Sequence, residues 1–135
     1  MTSPHPVPRV GCGAAILRDG QLLLVQRLRE PEANHWGLPG GKVDWGEPTR
    51  DTCAREIAEE LGLTITPGRL LCLADTIDLG DGQHWVAPVY LVEDSVGEPV
   101  VLEPDKLGGC GWFPLDALPS PLTSATVAAV KALVE

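Results

Sequence analysis

The chain has 135 residues, 44% of them hydrophobic, and a formal net charge of −9 at pH 7. A chain of this length fits one domain that buries about two thirds of its unfolded surface. Its acidic balance excludes non-specific binding to a nucleic acid polymer or to an anionic membrane, because both depend on clustered lysine and arginine.

The cysteines and the N-terminal residues indicate a cytoplasmic protein. The four cysteines are Cys12, Cys53, Cys72 and Cys110. They lack Cys-x-x-Cys spacing and stand among apolar or small residues, so we interpret them as small buried hydrophobes in a reduced cytosol. The sequence begins without an apolar signal core, and no apolar run approaches about 18 residues. We expect residues 1 to 8 to be a flexible lead-in and residues 9 to 135 to form a single domain.

The first predicted elements are two strands joined by a tight turn. Residues 9 to 18 and 21 to 27 are strand-like, and the Asp19-Gly20 pair between them is a strong signal for a two-residue hairpin. The apolar run at 22 to 25 predicts a central strand covered on both faces. Residues 28 to 34 are charged and contain a proline, which predicts an exposed loop.

A helix is predicted from about Pro48 to Leu61, because proline is tolerated in a first turn and Gly62 can end the helix in the left-handed conformation. Three carboxylates then share one face: Glu56, Glu59 and Glu60. The opposite face is apolar and consists of Ala54, Ile57, Ala58 and Leu61. Like charges at this spacing destabilise a helix by a few tenths of a kcal/mol each, and Mg²⁺ shares carboxylate oxygens with substrate phosphates. The acidic face is therefore either a metal–phosphate site or the solvated side of an amphipathic helix.

Strands and loops are predicted to follow this helix. Residues 63 to 66 form a short strand, and residues 70 to 79 and 84 to 92 form a hairpin-like pair. Pro88 in the second of these favours an edge position or a bulge. Residues 93 to 107 are polar and contain prolines, which predicts a loop.

The C-terminal residues predict a second helix, capped by Thr123 or Ser124. Its predicted apolar side consists of Val127, Val130, Leu133 and Val134. The order of elements indicates an α/β fold in which helices sandwich a curved mixed sheet.

One spacing pattern narrows the function. It reads Gly, five residues, Glu, seven residues, Arg-Glu-apolar-any-Glu-Glu-any-Gly-apolar, and residues 41 to 63 satisfy all nine specified positions. Its accidental occurrence in a chain of this length is on the order of one in ten million. The segment is the Nudix box, and the chain resembles the Nudix (MutT-type) hydrolases over nearly its whole length. The resemblance implies the Nudix α/β/α fold and metal-dependent hydrolysis of a nucleoside diphosphate linked to another group.

The resemblance also implies a metal site and a general base. The implied ligands of Mg²⁺ or Mn²⁺ are Glu56, Glu59, Glu60 and the carbonyl of Gly40. We favour Glu56 as the general base; Glu103 in the later loop is the alternative, and Asp105 is a further candidate carboxylate there. Residues 41 to 63 carry six acidic and three basic residues, so a polyphosphate can approach only with metal between them.

Other residues of the box are implied to brace the site. Arg55, counted among the catalytic candidates, is implied to pair with Glu47 and to fix the loop against the helix. Gly41 and Gly62 are structural residues at the two ends of the box.

The substrate class rests on residues outside the box. Subfamilies acting on ADP-ribose or dinucleoside polyphosphates have a downstream Pro or Tyr, whereas residues 78 to 81 here are Asp-Leu-Gly-Asp. The blocks around Trp36, Trp85 and Trp112 resemble the small nucleoside triphosphate pyrophosphatases. These tryptophans are candidates to stack a base, and Lys106 is a candidate phosphate contact.

The expected partner is thus a small nucleotide or diphosphate. Hydrolysis of ADP-ribose, a nucleotide sugar or another diphosphate ester stays open, as does a ligand sensor of the same fold without turnover. A homodimer also stays open.

Overall fold

The computed structural model describes residues 7–77, 80 and 82–135. Residues 1 to 6 of the predicted lead-in lie outside the described residues, and so do 78, 79 and 81 of the segment used to judge the substrate class. No helix of the described chain is long and apolar enough to cross a bilayer. All four cysteines are free thiols, with Cys12 and Cys53 buried and the other two half-buried.

The predicted N-terminal hairpin is confirmed. Strands β1 (Arg9–Arg18) and β2 (Gln21–Arg27) pair antiparallel around Asp19 and Gly20. These two residues have φ angles of 53° and 75°, and a two-residue turn of type I′ requires positive φ at both positions. The apolar run at 22 to 25 is buried, as expected of a central strand.

Seven strands form a mixed sheet. They are β1, β2, β3 (Trp36–Gly37), β4 (Gly40–Lys42), β6 (Leu70–Ile77), β7 (His84–Val92) and β9 (Leu107–Pro114), and the strands outside this sheet are β5 (Thr64–Thr66) and β8 (Asp94–Val96). The two helices are α1 (Thr49–Leu61) and α2 (Ser124–Val134). The sheet has the order β3-β2-β1-β7-β6, with β4 paired to β1 and β9 paired to β2. Strands β1 and β7 are parallel, and β5 pairs with β8 in a separate small sheet.

The helices cover opposite faces of the seven-stranded sheet. Side chains alternate between the two faces of a strand, and β1 shows both. Ala14 and Ile16 pack with Ile57 of α1 in one buried cluster, whereas Ala15 packs with Ala129 of α2 in another. The predicted α/β/α architecture is therefore confirmed.

Helix α1 has the predicted ends. Pro48 is its N-cap residue with ψ of 144°, where a missing N–H leaves no helical hydrogen bond unmade. Gly62 ends the helix with φ of 71°, and its N–H donates to the carbonyl of Ala58 at 3.0 Å. The segment therefore stops where its glycine allows the left-handed conformation.

The buried face of α1 differs from the predicted apolar face. Ala58 is exposed, whereas Glu60 is buried. The reason is that two other segments cover the last turn of the helix. Gly40 N donates to the side-chain carboxylate of Glu60 at 3.3 Å, and Leu102 N donates to the backbone carbonyl of Glu60 at 2.9 Å.

Two further details of the sequence interpretation change. Pro88 lies in β7 between β1 and β6, so an edge position is wrong. The pairing with β1 is instead interrupted between Val86 and Val89, which accommodates a residue without an N–H. The predicted loop at 93 to 107 contains β8, because its first residues pair with β5.

The predicted apolar side of α2 is partly wrong. Thr123 caps the helix by accepting a hydrogen bond from Thr126 N at 3.3 Å. Val127 and Val134 are exposed, while Thr126 and Ala129 are buried. Small residues face the sheet because the helix packs closely along β6.

Candidate active site

The Gly40-Gly41 pair lets β4 lie against both β1 and helix α1. Strand β4 pairs with β1 through Gly13–Gly40 and Cys12–Gly41. A Cβ atom at Gly40 would overlap the carbonyl oxygen of Cys12, and one at Gly41 would overlap the carboxylate of Glu56. The absence of side chains at both positions is therefore what brings the carboxylate of α1 against the backbone of this loop.

Arg55 is the centre of the charged network on α1. Its Nε lies 2.7 Å from Glu47 Oε2, and its Nη1 lies 2.9 Å from Glu56 Oε1 and 3.2 Å from Glu59 Oε2. Its Nη2 reaches Asp44 Oδ2 at 3.3 Å. The structure thus brings together Arg55 and Glu47, which the Nudix resemblance paired, and adds two glutamates of the predicted metal set.

Glu47 is the fixed end of this network. It accepts from Thr52 Oγ1 at 2.6 Å and from Arg55 Nη2 at 2.9 Å. The guanidinium of Arg55, together with the Thr52 hydroxyl and the Asp44 backbone N–H, lowers the pKa of Glu47 to about 2. Glu47 therefore stays ionised and holds the loop after β4 to the helix.

The carboxylates nearest to Gly40 have the opposite electrostatics. Burial raises the pKa of Glu60 to about 8, and the charges of Glu56 and Glu103 add to the effect. Burial also raises the pKa of Glu56, although its pairing with Arg55 opposes that rise. Burial thus disfavours the ionised form of these side chains, and a nearby positive charge would stabilise that form.

Glu103 reaches this space from the loop before β9. The backbone N–H groups of Val100 and Leu102 donate to the last carbonyls of α1, Leu61 O at 3.0 Å and Glu60 O at 2.9 Å. Lys106 Nζ lies 3.5 Å from Glu103 Oε2. Among the described residues Glu103 Oε1 is buried without a hydrogen-bond partner. Asp105 is exposed and pairs with Arg29 at 2.8 Å.

The carboxylate oxygens of this site fit a hard divalent cation, although they do not surround one common point. No group of three or more His, Cys, Asp or Glu side chains within the described ranges is close enough to hold a metal ion. Glu56 and Glu59 are arranged around the guanidinium of Arg55, which supplies their positive partner here. Glu103 Oε1 has no hydrogen-bond partner among the described residues, and the raised pKa of Glu60 shows that its ionised form lacks enough positive charge nearby. Carboxylate oxygens of this kind suit Mg²⁺ or Mn²⁺.

A cavity of about 340 Å³ extends from these glutamates across the sheet. Gly40, Glu56, Glu60 and Lys106 line one end. Strand β7 lines the wall with Trp85, Ala87 and Val89, and the loop after β2 lines it with residues 29 to 32. The charged loop predicted at 28 to 34 therefore borders the cavity.

The three tryptophans that were candidates for base stacking occupy different places. Trp85 lines the cavity, and its Nε1 donates to Gln83 Oε1 at 2.8 Å. Trp36 packs edge-on against Phe113 at 5.3 Å between ring centroids. Trp112 packs against the core on the α1 side, with the guanidinium of Arg18 4.8 Å from its ring centre.

Two cavity residues, Arg27 and Glu32, were not predicted from the sequence. Arg27 follows the buried run of β2 and donates from Nε to Pro31 O at 2.8 Å. Burial lowers the pKa of its guanidinium, and the charges of Glu32 and Glu60 oppose this effect. The sequence signal that could have marked Arg27 is a cation at the end of a strand with a buried apolar run. No sequence signal marks Glu32, because its partner Ser124 lies in α2.

Comparisons with known proteins agree with this geometry. The NUDIX domain model matches residues 7–133. The crystal structure of a MutT NUDIX hydrolase from Burkholderia pseudomallei is 57% identical and superposes with a TM-score of 0.91, covering 95% of this chain and 99% of that one.

Two curated relatives are similar over different shares of their length. The putative 8-oxo-dGTP diphosphatase 2 of Mycobacterium tuberculosis is 56% identical over 88 residues, which are 63% of this chain and 60% of that protein. The chain thus spans less than two thirds of that relative. The CTP pyrophosphohydrolase of Escherichia coli is 34% identical over 120 residues, 88% of this chain and 86% of that one. The family resemblance predicted from the sequence is confirmed: the chain belongs to the Nudix family.

Proposed function

We propose that this chain is a metal-dependent pyrophosphohydrolase that converts a nucleoside triphosphate to the monophosphate and pyrophosphate. The observation that carries the proposal is the pair of poorly solvated carboxylates, Glu56 and Glu60, on the wall of a cavity that Arg27 and Lys106 also line. The charge of Glu103 acts on Glu60 from the loop before β9. Anionic substrate and anionic side chains can share this space only with cations between them. The relatives named for 8-oxo-dGTP and CTP support a triphosphate as the substrate class.

The proposed metal ligands are Glu56, Glu59, Glu60 and the carbonyl of Gly40. A bound Mg²⁺ or Mn²⁺ would neutralise the phosphate oxygens and lower the pKa of a nearby water molecule. Arg55 would orient Glu56 and Glu59, since it contacts both carboxylates. Its own contact with Glu47 ties this orientation to the loop after β4.

The buried oxygen of Glu103 supports this residue as the general base in preference to Glu56. A base must offer a free lone pair to the proton of the attacking water. Glu56 gives one oxygen to Arg55, whereas Glu103 Oε1 is without a partner in the described chain. Glu103 would accept the proton, and Glu56 would remain a ligand.

Positive side chains and Trp85 would hold the rest of the substrate. Lys106 and Arg27 lie on the cavity wall near the glutamates and would bind phosphate oxygens. Trp85 lies further along β7 and would stack a base, a contact worth roughly 1 to 3 kcal/mol in other nucleotide sites. Positioning and charge neutralisation carry most of the rate in phosphoryl transfer.

A product assay tests the proposal. Nucleoside triphosphates, ADP-ribose and nucleotide sugars are incubated with the protein and Mg²⁺, and pyrophosphate is scored separately from phosphate. We expect pyrophosphate and monophosphate from triphosphates. Glu59→Gln should lower turnover by about 10² or more, because it removes a negative ligand and leaves the fold unchanged.

Asp51→Asn is the matched control, since it removes one carboxylate from the exposed first turn of the same helix. It should retain turnover close to that of the wild type. Near-normal turnover of Glu59→Gln would contradict the ligand assignment. Tight nucleotide binding without product from any diphosphate would favour the ligand sensor.

A further inference from the structure

Glu32 presents a fixed carboxylate on the wall of the cavity. Its Oε2 accepts from the backbone N–H of Ser124 at 2.8 Å, and its Oε1 accepts from the Ser124 hydroxyl at 3.1 Å. Ser124 is the first residue of α2, where an anionic side chain is also stabilised by the helix dipole. A carboxylate offers about four acceptor positions, so two contacts with Ser124 leave capacity for a ligand.

Arg27 lies on the cavity lining near Glu32 and near Glu60 of the proposed metal site. The charges of Glu32, Glu60 and Glu30 all act on its guanidinium, and all four side chains line the cavity. A phosphate bound between Arg27 and the glutamates of α1 would direct the nucleoside toward Glu32. The loop after β2 therefore places two carboxylates on the cavity lining: Glu32, which is anchored on α2, and Glu30, which accepts from Ala33 N within its own loop.

The surroundings of Glu32 suit a flat ring with a polar edge. Trp85, Ala87 and Val89 line the wall on β7, and Gly11 adds no side chain. A Cβ atom at Gly11 would already lie 3.5 Å from Trp85 Cε3. The Thr76 hydroxyl lies 3.4 Å from that of Ser124, which places a second polar group beside Glu32.

We propose that Glu32 determines base specificity by accepting a hydrogen bond from the exocyclic amino group of the nucleobase. This inference rests on the proposed nucleotide hydrolysis. An ionised carboxylate attracts an amino group, repels a carbonyl oxygen at the same place and gains no hydrogen bond from a C–H there, so it separates amino-bearing bases from counterparts that carry an oxygen or a hydrogen at that position. The preferred substrates are cytosine over uracil nucleotides and guanine over hypoxanthine nucleotides.

Two matched substrate pairs test the inference. kcat/KM is measured with CTP and UTP, and with GTP and ITP, in the presence of Mg²⁺. The wild type should prefer the amino-bearing member of each pair by about tenfold or more, as expected for a hydrogen bond to a charged group. Glu32→Gln, which keeps an oxygen for Ser124 N, should reduce both ratios to within about threefold.

Glu98→Gln is the control for the loss of one negative charge. Glu98 is 82% exposed and pairs with Arg18 away from the cavity, so the variant should keep the wild-type ratios. Wild-type ratios near one would overturn the inference. An equal loss of kcat/KM for all four nucleotides in Glu32→Gln would also overturn it, because a purely helix-capping residue would act on every base alike.

Binding measurements separate this inference from the proposed function. Dissociation constants are measured for the α,β-methylene analogues of CTP and UTP, which resist cleavage at that bond. Base-selective binding that depends on Glu32, combined with no cleavage of any triphosphate, would contradict the proposed function and support the inference. Cleavage without base selectivity would support the proposed function and contradict the inference. The absence of nucleotide binding would contradict both proposals.

Discussion

The two ends of the cavity differ in the number of their charged side chains and in how these are paired. At the metal end Arg55 contacts four carboxylates, and Glu60 and Glu103 lie close by in a poorly solvated space. At the other end Glu32 alone is anchored on α2, and its neighbours on β7 are apolar or aromatic. One end concentrates charged side chains around Arg55, whereas the other sets Glu32 and the Thr76 hydroxyl against an apolar and aromatic wall on β7.

If both proposals hold, turnover and base selection are carried by separate parts of the chain. Gly40 and Glu60 are 20 residues apart, and Glu47 and Arg55 are eight apart. Glu32 and Ser124 are 92 residues apart, and Thr76 and Ser124 are 48 apart. At the metal end one loop and helix α1 supply most of the contacts, and Glu103 and Lys106 join them from the loop before β9. The hydrogen bonds of the Glu32 carboxylate join segments that are far apart in sequence. Changes at the metal end should alter turnover for all bases alike.

Glu60→Gln should have the largest effect and should change activity and stability in opposite directions. Turnover should fall by about 10³ for every base, since a buried ligand loses its charge. The fold should become more stable above pH 8, because the neutral side chain avoids the burial of a carboxylate and still accepts from Gly40 N. Activity is measured with Mg²⁺, and thermal unfolding is measured in a chelator.

The sign of the stability change follows from the pKa of Glu60. That pKa is raised to about 8 from 4.5, so the folded protein keeps a proton that the unfolded chain releases. Wild-type stability should therefore decline as the pH rises from about 4.5 to about 8, by on the order of a few kcal/mol, and the variant should lack this decline. A variant that is both active and less stable at pH 9 would show that Glu60 is neither a ligand nor a strained carboxylate.

Gly41→Ala should have an intermediate effect that stays local to the metal end. Its methyl group would overlap the carboxylate of Glu56, the mobile end of a side chain. Glu56 can move away, so we expect turnover to fall about 10- to 100-fold with only a small change in melting temperature. Gly40→Ala is the contrasting variant, because its methyl group would overlap the backbone carbonyl of Cys12. That substitution should destabilise the whole fold, as seen by circular dichroism, before any effect on turnover can be measured.

The sequence could predict helix α1 and the pairing of Arg55 with Glu47 because these contacts are local. Glycine, proline and the spacing of glutamates locate α1 and its carboxylates within 23 consecutive residues. The burial of Glu60 was not predicted, because Leu102 and Gly40 cover it from outside the helix. The role of Arg27 and the anchoring of Glu32 were also missed, since each depends on which distant strands and helices meet. Trp36 and Trp112 look like Trp85 in sequence, and only the sheet order separates the cavity residue from the two packed ones.

Glu47→Gln should have the smallest effect and should show that acid loosens the metal end. Arg55, Thr52 and the Asp44 backbone lower the pKa of Glu47 from 4.5 to about 2. Its stabilising contribution is therefore complete above about pH 4.5 and is lost as the pH falls toward 2. The variant should melt a few degrees lower than the wild type at pH 7, and the two melting curves should converge near pH 2. A constant difference from pH 7 to pH 2 would mean that Glu47 stabilises this end through packing and not through its charge.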